Sequence, residues 1–477
     1  MTIAFPKPDE AVLARRKEIV EGLGRLVASE ALIVSEDERR AFETDGLTSY
    51  RQIPLAVVLP STTEEVSAIM RFCNDHGVKV VPRGAGTSLC GGAIPQADAI
   101  VLGVAKMNRV LDVNFEGRTA RVQSGITNLG ISQAVAHEGF FYAPDPSSQL
   151  ACTIAGNIAM NSGGAHCLKY GVTTNNLLGV TMVLLDGTVV EIGGEHLDAA
   201  GYDLLGLVCG SEGQLGVVTE AVVRILRAAE GARPALFGFG SVEAAGACVA
   251  AIIGAGIIPV ALEYMDKPAI QICEAFAHAG YPLDVEAMLI VEVEGSDAEI
   301  DDMLRRIVTI AEPFKPKTMK VSQSEAESAA IWKGRKSAFG ATGRVADYIC
   351  MDGTIPTGQL PYVLNRIDEI VKSYGLGVAN VFHAGDGNLH PLVMFNTNVP
   401  GEMEQAEKAG EALLTLCVEV GGCLTGEHGV GIEKRDLMTC QFNATDLEQQ
   451  MRVRGVFDPR WLLNPAKVFP LEGRFAA

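Results

Sequence analysis

Positive charge is scarce in this chain. Its 477 residues carry 39 Lys and Arg against 58 Asp and Glu, a formal net charge of −19. Such a chain has no long-range attraction for nucleic acid or anionic lipid, so an anionic substrate would need positive groups placed locally in its pocket. No CxxC pair occurs. The 11 cysteines, among them Cys73, Cys90, Cys152, Cys167 and Cys423, are scattered. They read as reduced, mostly buried thiols, which excludes a disulfide framework and an iron–sulfur cluster held by this chain alone. The opening MTIAFPKPDEAVLARRKEIV has no basic start, apolar run and small-residue site in order, so it does not read as a secretory signal. Long apolar runs are also missing. Residues 244–262 hold no charge, but Gly254, Gly256 and Pro259 interrupt them. A buried helix, a glycine turn and a buried strand fit this stretch better than a membrane span.

What is present is the composition of a soluble globular enzyme, 48% hydrophobic and 20% charged. The length predicts two or three domains. Residues 1–50 read as a polar helical segment. Leu55–Leu59 then reads as a strand ending at Pro60, and Ser61-Thr62-Thr63-Glu64 as a capping box. The helix it opens places Val66, Ile69, Met70 and Cys73 on one face, Gly77 ends it, and residues 78–81 form the next strand. Short β-like runs separated by glycine turns fill residues 99–230, which predicts an α+β domain over 51–230. RAAEGARPA (227–235) marks a boundary. Beyond it the spacing predicts strand 236–240, helix 242–255, strands 260–265 and 288–293, helix 298–311 and a strand near Met319. That order suits a ferredoxin-like sandwich in a second α+β domain, 231–477.

The first chemical signal follows the second strand: Pro82-Arg83-Gly84-Ala85-Gly86-Thr87-Ser88-Leu89-Cys90-Gly91-Gly92. Glycine allows close backbone approach, and successive N–H groups can converge on phosphate oxygens. The run is not the Rossmann fingerprint, because Leu89 occupies the third glycine position and no clear helix follows. It is not a Walker A loop, because no Gly-Lys-Ser/Thr ends it. Alone, it also fits a structural turn. Two further runs have the same character: APDPSSQLACTIAGNIAMNSGGAHCLKYG (143–171), almost without charge, and GSEGQLGVVT (210–219).

In order and spacing, the three runs resemble the FAD-binding domain of the vanillyl-alcohol oxidase/p-cresol methylhydroxylase (PCMH) superfamily. The resemblance covers about residues 50–230. It implies that Pro82, Arg83, Gly84, Ala85, Gly86, Thr87 and Ser88 meet the FAD pyrophosphate. It places Pro144, Asp145, Ser147, Ser148, Thr153, Gly156, Asn157, Ser162 and Gly163 along the flavin, with Gly213 and Val218 also lining it. Some members bind flavin covalently through a histidine in the glycine loop. The matching position here is Thr87, so noncovalent FAD is expected.

The sharper signal lies further on, in VFHAGDGNLHP (381–391) and CLTGEHGVGIEKR (423–435). These two segments hold three of the chain's eight histidines. His383 and His390 offer imidazoles across a tight turn, and Glu427 offers a carboxylate. Two nitrogens and one oxygen suit Zn²⁺, with Mn²⁺ or Fe²⁺ as alternatives. Asp386 and Asn388 could orient ligands or contact substrate, and His428 is available as a base.

These segments resemble the C-terminal domain of FAD-linked 2-hydroxy-acid dehydrogenases, a group that includes enzymes acting on glycolate, D-lactate and D-2-hydroxyglutarate. With FDPRWLLNPAK (457–467), the resemblance extends over about 15–470. It implies a PCMH-type FAD-binding domain, a ferredoxin-like α+β substrate (cap) domain and a C-terminal helical segment. It implies a divalent metal on His383, His390 and Glu427, with His428 as base and Asn388 in the catalytic set. Arg335, in WKGRKSAFG, matches the arginine that grips the substrate carboxylate. The D-2-hydroxyglutarate members add Thr, Lys and Asn for the second carboxylate. Phe339, Cys350 and Leu392 stand there instead. That departure favours a small monocarboxylate, and APDPSSQ, HCLKYG and YICMDGTIP most resemble the glycolate oxidase D-subunit branch.

On this resemblance, substrate carboxylate binds Arg335 and the metal holds the 2-hydroxyl oxygen. His428 removes the hydroxyl proton and hydride passes from C2 to flavin N5. Electrons would leave through a second flavin-type subunit and an iron–sulfur subunit toward quinone, or through a soluble acceptor. The expected location is cytoplasmic, with membrane association only through such a complex, and homo-oligomers fit equally. Two other readings are an alkylglycerone-phosphate synthase-type transferase on the same scaffold and a non-catalytic flavin subunit.

Overall fold

The computed structural model describes residues 3–196 and 201–471. The chain forms two compact units, each assembled from separate stretches. One, the glycine-loop unit, comprises Ile3–Gly163, Gly171–Ala228 and the described residues from Glu427 onward. The other, the histidine unit, comprises Gly164–Tyr170 and Ala229–Gly426. The sequence reading divides the chain at 50/51 and 230/231, each part continuous.

In the glycine-loop unit, strand Ala56–Val58 is buried on both faces and pairs in parallel with Ala99–Gly103, which pairs in parallel with Lys79–Arg83 on its other side. This is the expected β-α-β start. A two-residue strand, Leu32–Ile33, closes the edge beyond short N-terminal helices. The connecting helix runs Thr63–His76 and buries Val66, Ile69, Met70 and Cys73, the predicted face. Its cap lies one residue beyond the expected Ser61. Thr62 Oγ1 accepts from Glu65 N at 3.2 Å, and Glu65 reaches back to accept from Ser61 N at 2.6 Å. Gly77, at φ +65°, turns the chain out of the helix, and the following strand delivers Arg83 to the glycine loop. A second, antiparallel sheet has the order Val110–Asn114, Thr119–Gln123, Val217–Arg224, Leu177–Val183, Val189–Gly193. Val122, Val180, Met182 and Val223 from it pack on Ile131, Val135, Ile154 and Ile158.

The histidine unit is built on an antiparallel sheet in the order Thr318–Val321, Gly231–Phe239, Ala287–Gly295, Ala261–Asp266, Gly377–His383, Pro391–Phe395, Asp347–Cys350. Numbered along the chain, the first four strands stand 4-1-3-2, the ferredoxin-like arrangement. Helices Val242–Gly254 and Asp297–Ala311 fall where expected. Helix Lys267–Ala277 was not anticipated. It starts from Asp266, whose Oδ1 accepts from Ala269 N at 3.0 Å. The uncharged stretch 244–262 resolves as helix, glycine turn (Gly256, φ +73°) and strand. Among the described residues, no helix is long and apolar enough to cross a membrane.

Candidate functional site

In the glycine-loop unit the three glycine runs meet. A Cβ on Gly84 would lie 2.2 Å from Thr153 Oγ1, so only glycine allows the first run this close to the second. Gly213, at φ +70°, lies beside Pro82, where a Cβ would be 3.3 Å from Cγ. Pro82–Ser88, Thr153–Asn157 and the Gly213 turn thus border one region. Arg83 folds back against its own loop: its Nη1 donates to Thr44 O at 2.9 Å, and the guanidinium fills the space where Gly86 would carry a Cβ. Burial lowers the Arg83 pKa, with Asp45 opposing. Asn157 Oδ1 accepts from Asn128 Nδ2 at 3.1 Å, and the same amide donates to Pro144 O at 3.0 Å. Asn128, which the sequence reading missed, therefore ties two predicted flavin-lining residues together. Ser162 O accepts from Thr173 N and Oγ1 at 3.0 and 2.8 Å, which fixes the approach to Gly163. Ser148 O accepts from Ala151 N and Cys152 N, both at 2.8 Å. Asp145 is half-buried, Ser147 is exposed, and Val218 pairs with Met182 in the second sheet. The glycines let the three runs approach one another closely, and a border so rich in exposed backbone suits the phosphates and ring of a flavin nucleotide.

The loop carrying His428 docks within the same unit. Glu212, buried, accepts from Val430 N at 2.6 Å and Gly431 N at 2.9 Å. Burial raises its pKa, and those two N–H groups and Lys434 offset this only in part. Cys90 O accepts from Ile432 N at 3.0 Å, and Cys90 Sγ donates to the His428 carbonyl at 3.1 Å. Lys434, fully buried, donates to Gly429 O at 2.9 Å. Asn464, from the C-terminal run, donates to both Gly92 O (3.0 Å) and Glu212 O (2.7 Å). His428 is therefore held against the end of the glycine loop. Its Nε2 lies 3.8 Å from Glu427 Oε1.

In the histidine unit, His383 ends its strand directly opposite Glu263. Its Nδ1 lies 2.8 Å from Glu263 Oε1, and Arg335 Nη2 lies 2.6 Å from Glu263 Oε2. All of this is under cover: Glu263 is 1% and Arg335 6% exposed. Burial pushes the Glu263 pKa up, but His383 and Arg335 outweigh it and hold the carboxyl below its ordinary range. The turn Ala384–Gly387 requires its glycines. A Cβ on Gly387, at φ +76°, would meet Ile355 O at 2.1 Å. Asn388 N donates to Asp386 Oδ1 at 3.2 Å, which assigns Asp386 to shaping the turn. The His383 and His390 rings are 5.2 Å apart and nearly perpendicular, and a ring nitrogen of one lies within 4.8 Å of a ring nitrogen of the other. Asp352 Oδ1 stands 3.4 Å from His390 Nε2. Two imidazoles at this spacing, one fixed through Nδ1 by a buried carboxylate, fit a divalent metal. Asp352 accepts from Gly426 N through its backbone O at 2.8 Å and through Oδ2 at 3.1 Å.

Glu263 and Asp352 were both missed from sequence. Glu263 lies between Leu262 and Tyr264 in mid-strand, and Asp352 follows the apolar run Ile349-Cys350-Met351; a carboxylate set in such a run was the available signal. Cys350 and Leu392 pair across neighbouring strands inside the apolar core, with Phe339 packed against it.

Residues 54–193 match the family described as FAD binding domain, and residues 229–468 match FAD linked oxidases, C-terminal domain. The chain is 48% identical to the Glycolate oxidase subunit GlcD of Escherichia coli (strain K12), over 99% of this chain and 94% of that one. It is 36% identical to the Glycolate oxidase subunit GlcD of Bacillus subtilis (strain 168), over 96% and 98%. A D-lactate dehydrogenase of Archaeoglobus fulgidus is 32% identical over 91% and 95%. Among solved structures, p-cresol methylhydroxylase with substrate bound superposes with a TM-score of 0.82 at 14% identity, covering 98% of this chain and 99% of that one. This last likeness concerns the fold.

Proposed function

The chain belongs to the FAD-linked oxidases and is an FAD-dependent oxidoreductase, and from that premise we propose that it oxidises a small 2-hydroxy acid, glycolate first, to the 2-oxo acid. One observation carries the reading. Arg335, the cation for a carboxylate, and His383, an imidazole of a metal-type pair, share one buried glutamate. A 2-hydroxy acid offers a carboxylate beside a hydroxyl and calls for such a pairing.

In this reading Arg335 holds the substrate carboxylate by a planar, charge-assisted pair. His383, His390 and Glu427 are the ligands for a divalent metal, zinc or alternatively manganese or iron, and Asn388 orients the turn between the histidines. The metal, when bound, supplies Lewis acidity toward the hydroxyl oxygen. His428 accepts the hydroxyl proton at its imidazole, and the Glu212 and Cys90 contacts keep that ring's backbone in register. FAD, held without a covalent bond by residues 82–88, 144–163, Gly213 and Val218, supplies the two-electron acceptor. A second flavin-type subunit and an iron–sulfur subunit fit as the onward route for electrons, since the cysteines of this chain form no cluster motif.

D-Lactate is the second reading, favoured by the Archaeoglobus fulgidus relative. Apolar, buried Cys350 and Leu392 argue against a second substrate carboxylate. The test is product formation. FAD-loaded protein is mixed with an artificial electron acceptor and glycolate, D-lactate or D-2-hydroxyglutarate, and the 2-oxo acid is measured. Glyoxylate formed fastest supports the proposal. No 2-oxo acid from any of the three, while dithionite-reduced protein still passes electrons to the acceptor, overturns it.

A further inference from the structure

Glu263 holds two groups with one carboxylate. Oε1 faces His383 Nδ1 at 2.8 Å and Oε2 faces Arg335 Nη2 at 2.6 Å. It stands on Ala261–Asp266, paired in register with the His383 strand on one side and Ala287–Gly295 on the other. Arg335 comes from the last turn of helix Glu325–Lys336. We propose that Glu263 is a positioning residue that fixes the distance between the carboxylate anchor and the metal-ligand histidine, and thereby selects 2-hydroxy over 3-hydroxy acids. This rests on the roles of Arg335 and His383 set out above.

The argument is geometric. A carboxylate is rigid and planar, so neither partner can move without breaking its contact or moving the other. In a 2-hydroxy acid the hydroxyl is on the carbon next to the carboxylate. In a 3-hydroxy acid it lies one bond farther, about 1.5 Å. Misplacement of about 1 Å costs about 10²-fold in rate, so a fixed spacing discriminates between the two classes. The carboxylate also sets the tautomer. As an acceptor at Nδ1 it keeps the proton there, which leaves Nε2 as the nitrogen suited to a metal. Glu263→Gln is isosteric but cannot reproduce this. With its amide NH₂ toward His383, the proton must shift to Nε2. With the NH₂ toward Arg335, donor faces donor.

The experiment measures metal binding apart from turnover. Mn²⁺ is titrated into metal-stripped, FAD-loaded protein, and free Mn²⁺ is followed by its EPR signal. Four proteins are compared: wild type, His383→Ala, Glu263→Gln and Glu292→Gln. Glu292 is the control, a buried glutamate on the adjacent strand that accepts from Trp332 Nε1 at 2.8 Å and lies 3.3 Å from His166 Nε2. E263Q is expected to weaken Mn²⁺ binding about 10–100-fold, and E292Q to leave it unchanged. Glu263→Asp keeps the charge but is one methylene too short to reach both partners. It is expected to raise KM for glycolate and to narrow the preference for lactate over 3-hydroxypropionate about tenfold or more. Should E263Q not accumulate as folded protein, E263D carries the test alone. Unchanged Mn²⁺ affinity in E263Q, or unchanged preference in E263D, with H383A defective, overturns this inference alone. Wild-type affinity in H383A overturns the metal assignment beneath it.

Discussion

Gly431→Ala tests how rigidly the His428 loop is docked. Gly431 sits at φ +53°, and a Cβ there would lie 2.1 Å from the Cys90 carbonyl oxygen and 2.6 Å from Cys90 Sγ. The first obstacle is backbone, so no rotamer change removes it. To reach even 3.0 Å the loop must withdraw about 1 Å, which strains the Glu212 contacts to Val430 N and Gly431 N. A left-handed alanine costs about 1–2 kcal/mol, and overpacking about 1–3 kcal/mol more. Together they amount to about 2–5 kcal/mol, or a fall in Tm of roughly 4–9 °C for a unit of this size. His428 lies three residues away and its carbonyl is held by Cys90 Sγ. A displacement of about 1 Å there should lower turnover about 10²-fold. The assays are thermal unfolding, FAD content and acceptor-dye reduction. Gly455→Ala is the companion. Gly455 lies in helix Ala444–Phe457 with nothing within 4 Å of a built Cβ. It should stabilise by about 0.5–1 kcal/mol with turnover unchanged. Wild-type Tm and turnover in G431A would refute the docked geometry.

Four further outcomes are expected. His428→Ala should lower turnover about 10²–10⁴-fold with FAD content unchanged, and unchanged turnover would remove His428 from the base role. Arg335→Lys loses the planar fork, so kcat/KM for glycolate should fall about 10–100-fold, mostly through KM; an unaltered KM would place the carboxylate elsewhere. Chelation should abolish substrate-driven flavin reduction and added Zn²⁺ or Mn²⁺ should restore it, whereas full activity after verified metal removal would contradict the metal reading. Lys467, buried, has its pKa lowered to about 7 from 10.5, chiefly by burial. The unfolded chain binds that proton between about pH 7 and 10.5 and the folded chain does not. Stability should therefore rise with pH across this window, by up to about 1.4 kcal/mol per unit. Lys467→Met should flatten the rise, and an identical slope in wild type and K467M would show that another group sets it.

Local pattern revealed much of this molecule. The buried face of helix Thr63–His76 follows from 3.6-residue spacing. The ferredoxin-like order follows from alternating strand and helix lengths, and the His383–His390 turn from its glycines. The groups that hold the site in shape were less legible, because their partners are far apart in sequence. Glu263 meets Arg335 and His383 only once the sheet has paired. Glu212 meets Gly431, 219 residues on, only through a returning C-terminal stretch. The adjacent charges Lys434 and Arg435 are both buried against backbone carbonyls, Lys434 on Gly429 and Arg435 on Ala466, a partner 31 residues on. Helix Lys267–Ala277 was hidden behind its Pro268, which sits harmlessly at the first turn.

The central claim is that bound FAD takes electrons from a 2-hydroxy acid, and anaerobic flavin bleaching tests it most directly. Glycolate, D-lactate, L-lactate and D-2-hydroxyglutarate are added separately to metal-replete, FAD-loaded protein, and the flavin absorbance band is followed. Fast bleaching by glycolate, slower bleaching by D-lactate and none by D-2-hydroxyglutarate is the predicted result. A yellow protein that none of the four acids bleaches would contradict the account.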